Sequence, residues 1–430
     1  MRKNIFNIKK LDLCILYTTL IFFILINFIY FYLNLTESIK VSNYAYNELF
    51  INYQAGFIRR GLLGEVIWQL NNIFSIDPRI FSTLFFFSIY LAQIFLFIYI
   101  FKKYLVSKLI FFTVIFSPSL LLFHIYTPEL FFLKDGIIKL VFLIHAFVFY
   151  HFIYKNNDRK RYFQYLRFFI IPLLFITILV HEYQVFSLSL HFLISLGSIK
   201  EKKEINKIFK NYIPLVIPVI FILFFFGNQL QFDNLSEILK KFDVELNPYL
   251  GGGIYHYIGG FYKWHFFYFS YRDFVNLFLS FILSVLIFYM LFNYLLEKKI
   301  VFFSSKYQSK YLFFFIPVII PFLLTSDHGR NLSFLSFYLV TFFIILNLNT
   351  KKLTNLIDLI SKDHLKKYML FVFIFFYVFM WKLDQLAGFG LQGKPNDIFQ
   401  SSLFAEFIKF IKFLYNYIDM NVLDLPEINL

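Results

Sequence analysis

The feature that most constrains this sequence is a succession of long apolar runs separated by polar segments. A helix needs about 20 mostly apolar residues to cross the hydrocarbon core of a bilayer, and run after run approaches that length. Hydrophobic residues make up 59% of the 430 residues and aromatic residues 24%. Because ordinary soluble proteins are far less apolar, we predict an all-α, polytopic integral membrane protein.

The runs predict about eleven transmembrane helices. The first has no small-residue cleavage site and is expected to stay as an anchor. The single cysteine, Cys14, lies within it, so no disulfide framework and no cysteine metal site are predicted. The approximate bounds of the predicted spans are 11–33, 80–101, 109–123, 137–154, 168–180, 183–199, 211–226, 274–296, 311–324, 332–348 and 368–380.

The distribution of basic residues predicts the orientation of these spans. Of the 41 Lys and Arg residues, 26 fall in alternate connections, which therefore face the cytoplasm together with the N-terminus. The other connections and the C-terminus are predicted to be extracytoplasmic. One transmembrane domain, 1–430, would then carry outer loops 34–79, 124–136, 227–273 and 325–331 and an outer tail, 381–430, with an amphipathic interfacial helix at 402–417.

The most chemically distinctive segment lies in the first outer loop, where Arg59 and Arg60 stand among three glycines. Guanidinium groups match phosphate oxygens, and membrane insertion gives no reason for an arginine pair on the outer side. We therefore predict a phosphate site. The alternative is a pair that extends to lipid headgroups or bridges Glu48 and Glu65.

Two tight turns between spans hold further candidates. His181 and Glu182 form one tip, where desolvation would raise the carboxylate pKa and suit a general base toward an acceptor hydroxyl. Asp327, His328 and Arg330 form the other tip and offer a base and a cation. Each tip is alternatively a satisfied turn, with Asp327 capping the next helix and pairing with Arg330. Ionisable groups at membrane depth favour a functional role.

Other outer residues are weaker candidates for substrate contacts. Lys134 and Asp135 are interpreted as either an ion pair at a helix mouth or substrate ligands. Tyr255 and Trp264 belong to a glycine- and aromatic-rich stretch that suits sugar stacking or an interfacial aromatic belt. Arg272 follows them as a further cation.

The sequence has no P-loop, no dinucleotide-binding glycine pattern and no His or Asp metal motif. We therefore predict no metal and no cofactor. Membrane insertion accounts for the basic loops, so no nucleic-acid partner is predicted; the expected partners are membrane lipids and a lipid-linked substrate.

This organisation resembles bacterial envelope-glycan enzymes, namely the O-antigen and capsule polysaccharide polymerases of the Wzy type and, more distantly, the GT-C glycosyltransferases. The span count, the large outer loops, the outer arginines and the Phe/Ile/Lys-rich composition carry the resemblance. It implies polymerisation of undecaprenyl-pyrophosphate-linked oligosaccharide units at the outer face of the bacterial inner (cytoplasmic) membrane. The catalytic candidates are then Glu182, His181, Asp327, Glu65 and Glu48, and the substrate-binding candidates are Arg59, Arg60, Arg330, His328, Lys134, Asp135, Arg272, Tyr255 and Trp264.

Three alternatives stay open. A GT-C enzyme would take a polyprenyl-phosphate sugar, with Glu37, Glu48 or Glu65 as base. A transporter or flippase for a lipid-linked glycan would need charged groups through mid-membrane, where only Lys139 is expected. An acyltransferase would use His181 or His328.

Overall fold

Helices form all the regular structure in the described part of the chain, for which we use a computed structural model. The structure describes residues 44–101, 114–126, 130–198, 203–224, 229–240, 277–285, 313–324 and 327–346, with a few isolated positions besides. No strand occurs among these residues, so the predicted all-α class is confirmed for them.

The helices are numbered along the chain, and several follow one another without a loop. A π-helical turn, Tyr150–Lys155, extends α5, and a second, Leu166–Ile170, joins α6 to α7. The helices are α1 (Tyr44–Leu49), α2 (Gly61–Phe74), α3 (Pro78–Phe101), α4 (Phe123–Tyr126), α5 (Asp135–Phe149), α6 (Arg159–Tyr165), α7 (Ile171–Val180), α8 (Gln184–Leu196), α9 (Lys203–Tyr212), α10 (Val216–Phe224), α11 (Gln229–Leu239), α12 (Ile316–Leu324) and α13 (His328–Leu346).

Four helical segments of the described chain are long and apolar enough to cross a membrane, and they indicate a membrane protein. They are Pro78–Ile100, Asp135–Lys155, Arg159–Val180 and Glu204–Ile222. The number of about eleven spans and their orientation stay predictions. The span at 368–380 and the tail 381–430 lie outside the described residues.

Two of the predicted spans belong to helical segments that begin many residues earlier. The segment that contains the span predicted at 168–180 starts with α6 at Arg159, and the one that contains 211–226 starts with α9 at Lys203. Basic residues thus occupy helical turns rather than loops. Asp158 makes the first start possible, because its side chain accepts a hydrogen bond from the Arg161 backbone at 3.0 Å and caps α6.

The span predicted at 109–123 is not a continuous helix in its described part. Residues 116–122 form turns before the short helix α4. Pro118 has no backbone N–H to donate, and the hydroxyls of Ser117 and Ser119 bond to each other at 3.0 Å. The predicted continuous span is therefore wrong for its described residues.

Helix α5 is the centre of the described bundle, packing against α3, α7, α8 and α13. Two buried hydrogen bonds fix its start. Tyr90 of α3 donates to the Phe131 carbonyl at 2.6 Å, and Gln93 donates to the Gly136 carbonyl at 2.6 Å. The polar residues at the start of α5 are thereby held in one position.

Helix α2 packs so closely on the chain that follows α1 that it has no room for a side chain at Gly64. A Cβ there would lie 1.9 Å from the Ile51 carbonyl oxygen and 2.7 Å from that of Leu49. We expect Gly64→Ala to lower the free energy of unfolding by about 1–3 kcal/mol, since the obstructing atoms are backbone. Thermal unfolding in detergent would measure the loss. Gly197→Ala is the control, because its nearest neighbours lie at 3.1 Å; equal melting temperatures for the two variants would contradict the expectation.

Candidate functional site: a buried ion-pair cluster

Charged side chains from five separate segments meet at one end of the described bundle. Three of these segments are the arginine pair and the two turn tips that the sequence marked as candidates, and the other two are helix α1 and the start of α5. We call the group the ion-pair cluster. Its members are Glu48, Arg59, Arg60, Lys134, Asp135, His181, Glu182, Asp327 and Arg330.

Glu182 is the carboxylate on which the arginine pair converges. Arg59 Nη1 donates to Glu182 Oε1 at 2.9 Å, and Arg60 Nε lies 2.8 Å from each carboxylate oxygen. Arg60 Nη2 donates to Oε1 as well. The arginines are buried, whereas the Glu182 side chain keeps 20% of its surface exposed. The anion that the arginine pair binds in this structure is thus a carboxylate of the protein itself.

Arg60 also ties this pair to α1. Its Nη1 donates to Glu48 Oε1 at 2.6 Å, and its backbone, which ends the loop before α2, is left-handed with φ 66°. Such a conformation is unfavourable for a residue with a Cβ. Lys134 helps to hold it, because Nζ donates to the Arg60 carbonyl at 2.8 Å and to the Glu48 carbonyl at 3.1 Å.

Arg330, in the first turn of α13, makes the second strong pair of the cluster. Its Nε and Nη2 each lie 2.5 Å from one oxygen of Asp135, which is fully buried. Asp327 lies 3.3 Å from Arg330 Nη1. The expected Arg330–Asp327 pair is therefore present, but Asp135 is the main partner. The expected Lys134–Asp135 pair is wrong, because the ammonium of Lys134 bonds to backbone carbonyls instead.

His181 lies between the two pairs. The Tyr183 backbone N–H donates to its Nδ1 at 3.0 Å, and Arg330 Nη2 lies 2.8 Å from Nε2. A protonated imidazole would present an N–H to both of these donors and a neutral ring to only one of them, so the contacts favour a neutral ring. Burial and the charges of Arg60 and Arg330 accordingly hold the His181 pKa well below its usual range.

The arginines decide the charge state of the carboxylates. Burial acts to raise the pKa of Glu182, but Arg60 and Arg59 outweigh it and hold that pKa well below its usual range. The raised pKa that the turn predicted is therefore wrong. Burial likewise acts to raise the pKa of Glu48, yet the charges of Arg60 and Lys134 lower that pKa to about 2. For Lys134 burial prevails over Glu48 and lowers the pKa to about 8.

These shifts predict that acid destabilises the protein. Below pH 6.5 the unfolded chain protonates His181 while the folded chain does not, and from pH 4.5 down to about 2 the same holds for Glu48. A state that binds more protons gains stability as pH falls, so the folded state loses it. We expect the melting temperature in detergent to drop steadily from pH 7 to pH 3. His181→Asn should make the decline between pH 7 and 5.5 shallower; an unchanged slope would contradict the assignment.

Two candidates lie apart from the cluster. Glu65 accepts from the Tyr53 backbone at 3.1 Å and from Gln54 and Gln69 at 2.9 and 2.7 Å, so it fixes the loop to α2. The expected bridge from the arginine pair thus reaches Glu48 but not Glu65. His328 is buried and stacks on Phe322. Four other candidates, Glu37, Tyr255, Trp264 and Arg272, lie outside the described residues.

Two supporting residues were not identified from the sequence. The Tyr183 hydroxyl donates to Asn331 Oδ1 at 2.8 Å, and its ring lies 5.5 Å from the Arg330 guanidinium carbon. They join the two turn tips. Tyr183 directly follows Glu182, and Asn331 directly follows Arg330. A polar residue next to a charged candidate between apolar runs is the sequence pattern that could have identified both.

The cluster is balanced in charge and suited to exchanging one anion for another. Arg59, Arg60, Lys134 and Arg330 face Glu48, Glu182, Asp135 and Asp327. Glu48 is 3% and Asp135 0% exposed in their side chains, against 20% for Glu182 and 23% for Asp327. An anion entering from solvent would therefore reach Arg59 and Arg60 by displacing Glu182. Within the described ranges, no group of three or more His, Cys, Asp or Glu residues is arranged to hold a metal ion.

Comparisons with protein-family models, with curated proteins and with solved structures gave no match.

Proposed function

We propose that this protein is a membrane glycosyltransferase that polymerises lipid-linked oligosaccharide units into a surface polysaccharide, O antigen or capsule. It would act at the outer face of the bacterial inner membrane. The observation that carries the proposal is the convergence of Arg59 and Arg60 on Glu182, which is the most accessible of the carboxylates bound to the arginine pair. A diphosphate offers the same oxygen geometry as that carboxylate, with more negative charge.

The exchange couples substrate binding to acid–base chemistry. When the donor diphosphate takes the place of Glu182, that carboxylate loses the guanidinium groups that keep its pKa low, while burial continues to raise the pKa. Glu182 then becomes a competent general base. In the resting protein the carboxylate is held ionised and inactive.

Glu182 takes the proton of an acceptor sugar hydroxyl, and the resulting oxygen attacks the anomeric carbon of the donor. The bond between that carbon and the phosphate oxygen breaks, and the lipid diphosphate leaves with the electron pair. Arg59 and Arg60 neutralise the charge that grows on the leaving group.

The GT-C alternative receives less support from the geometry. Its base candidates include Glu48 and Glu65, but Glu48 has a pKa of about 2 and Glu65 is engaged by two glutamines and a backbone amide. Neither carboxylate is placed to change partners as Glu182 is.

The test supplies the purified protein with two donors separately. We expect a ladder of glycan lengths from an undecaprenyl-diphosphate-linked repeat unit and no product from an undecaprenyl-monophosphate sugar. The Arg59→Ala/Arg60→Ala double variant should give no ladder, whereas Arg79→Ala, an arginine at the start of α3, should give the wild-type pattern. Transfer of one sugar from the monophosphate donor would favour a GT-C enzyme, and a ladder from the double variant would end the phosphate-site hypothesis.

A further inference from the structure

A second polar feature runs through the apolar interior, away from the ion-pair cluster. Helix α8 and the residues after it carry polar side chains at positions that recur every three or four residues and so share one helix face. All are fully buried. They are Gln184, Ser187, His191, Ser195 and Ser198.

Four of the helices contribute to a continuous hydrogen-bonded chain beside this face. His191 Nδ1 lies 2.9 Å from His145 Nδ1, and His145 Nε2 lies 3.0 Å from the Tyr162 hydroxyl. Tyr162 donates to Ser195 Oγ at 3.2 Å, and Ser195 Oγ lies 3.0 Å from the Tyr212 hydroxyl. We call these five residues the polar chain.

The hydrogen positions along the polar chain follow from the donor inventory. Tyr162 has one hydroxyl hydrogen and gives it to Ser195, so its oxygen accepts from His145 Nε2–H. His145 Nδ1 is then the acceptor, and His191 Nδ1–H is the donor. Every hydrogen points the same way along the chain, from His191 toward Ser195.

These hydrogen positions leave His191 Nε2 as an acceptor at the start of the polar chain. His191 Nε2 is buried and has no hydrogen-bond partner among the described residues, and the same is true of Gln184 Oε1, two helical turns away on the same face. Buried polar atoms in proteins are normally bonded to protein or to internal water. Internal water at each of the two positions would satisfy these acceptors.

The two ends of the polar chain differ in their surroundings. Gln184 follows Tyr183, which bonds to Asn331 beneath Arg330, so α8 begins beside the ion-pair cluster and His191 lies two helical turns further along. Tyr212 at the other end is partly exposed. The rise of a helix makes the distance from residue 184 to 195 about 16 Å, about half the thickness of a hydrocarbon core.

We propose that the polar chain conducts protons between His191, its buried end, and Tyr212, its partly exposed end, away from the ion-pair cluster. A proton from hydronium binds His191 Nε2, and His191 releases its Nδ1 proton to His145 Nδ1. His145 releases its Nε2 proton to Tyr162, whose own hydrogen passes to Ser195. The Ser195 hydroxyl turns away from the His191 carbonyl, to which it donates at 3.2 Å, and gives its hydrogen to Tyr212, whose own proton leaves. One proton enters and one leaves. The polar chain is ready for another proton once His191 again carries its hydrogen on Nδ1 and His145 on Nε2. This activity goes beyond the proposed glycosyl transfer and does not rest on it.

The test measures proton flux with the full-length protein in lipid vesicles that contain a pH-sensitive dye. A potassium diffusion potential set by valinomycin drives protons inward or outward. We expect vesicles with the wild-type protein to change internal pH faster than protein-free vesicles under at least one polarity. His191→Gln, His145→Gln and Tyr162→Phe should each return the rate to that of protein-free vesicles.

Matched controls separate loss of the path from loss of fold. His151→Gln changes a histidine outside the polar chain, which bonds to Asn156, and Tyr165→Phe changes an exposed tyrosine one turn from Tyr162. Both should keep the wild-type flux, and all variants should elute as the wild type does in detergent. Wild-type flux no higher than that of protein-free vesicles would overturn the proposal, as would wild-type flux in correctly eluting variants of both His191 and Tyr162.

Discussion

Arg330→Met is expected to lower the free energy of unfolding by about 3–5 kcal/mol, the typical loss when one partner of a buried ion pair is removed. Asp135 would lose the guanidinium that balances its charge, in a position where its side chain has no exposed surface. The effect would appear in detergent as a large drop in melting temperature and in poor yield of monodisperse protein.

Two further variants test the cause of this loss. Asp135→Asn combined with Arg330→Met removes both charges, so the double variant should be more stable than Arg330→Met alone. Arg161→Met is the surface control, since that side chain is 68% exposed and its pairing with Asp158 at 3.3 Å should contribute less than about 1 kcal/mol. If Arg330→Met and Arg161→Met melted alike, the Asp135–Arg330 pair would not hold the cluster together.

Glu182→Gln should separate binding from turnover. A neutral amide competes less well than a carboxylate for Arg59 and Arg60, so a lipid diphosphate should bind more tightly to the variant than to the wild type. The variant also lacks the proposed general base, and its turnover should fall by about 10²–10⁴-fold. Calorimetry with a short-chain polyprenyl diphosphate measures the first quantity, and the glycan ladder assay the second.

The matched control for this prediction is Glu237→Gln, which changes an exposed carboxylate in α11 and should alter neither quantity. Weaker diphosphate binding by Glu182→Gln would mean that Glu182 organises the arginines instead of competing for them. Wild-type turnover by Glu182→Gln would mean that Glu182 is not the general base. Either result would require a different base or a different anion site.

The sequence was sufficient to predict that the arginine pair and both turn tips lie on the same side of the predicted spans, and the structure brings them into contact. Charged groups in so apolar a chain have few places where they are stable, and turns between helices bring their tips to one end of a bundle. The partners could not be predicted in the same way. Arg60 and Glu182 are 122 positions apart, and which carboxylate a long guanidinium side chain reaches depends on how the helices pack.

Neighbouring residues in the sequence gave two misleading interpretations. Lys134 and Asp135 are adjacent, but successive side chains point in different directions at the start of a helix, so each found a partner from another segment. For Glu182, the position in a tight turn predicted a raised pKa, because burial alone raises the pKa of a carboxyl group. Two arginines from a loop far away in the sequence reverse that effect.

The contacts of Lys134 have an evolutionary consequence. Its ammonium bonds to backbone carbonyls, which every amino acid supplies, so substitutions at positions 48 and 60 leave both acceptors in place. Arg330, in contrast, depends on the side chain of Asp135. In related chains we expect positions 135 and 330 to covary, while a lysine at 134 persists whatever residues occupy 48 and 60.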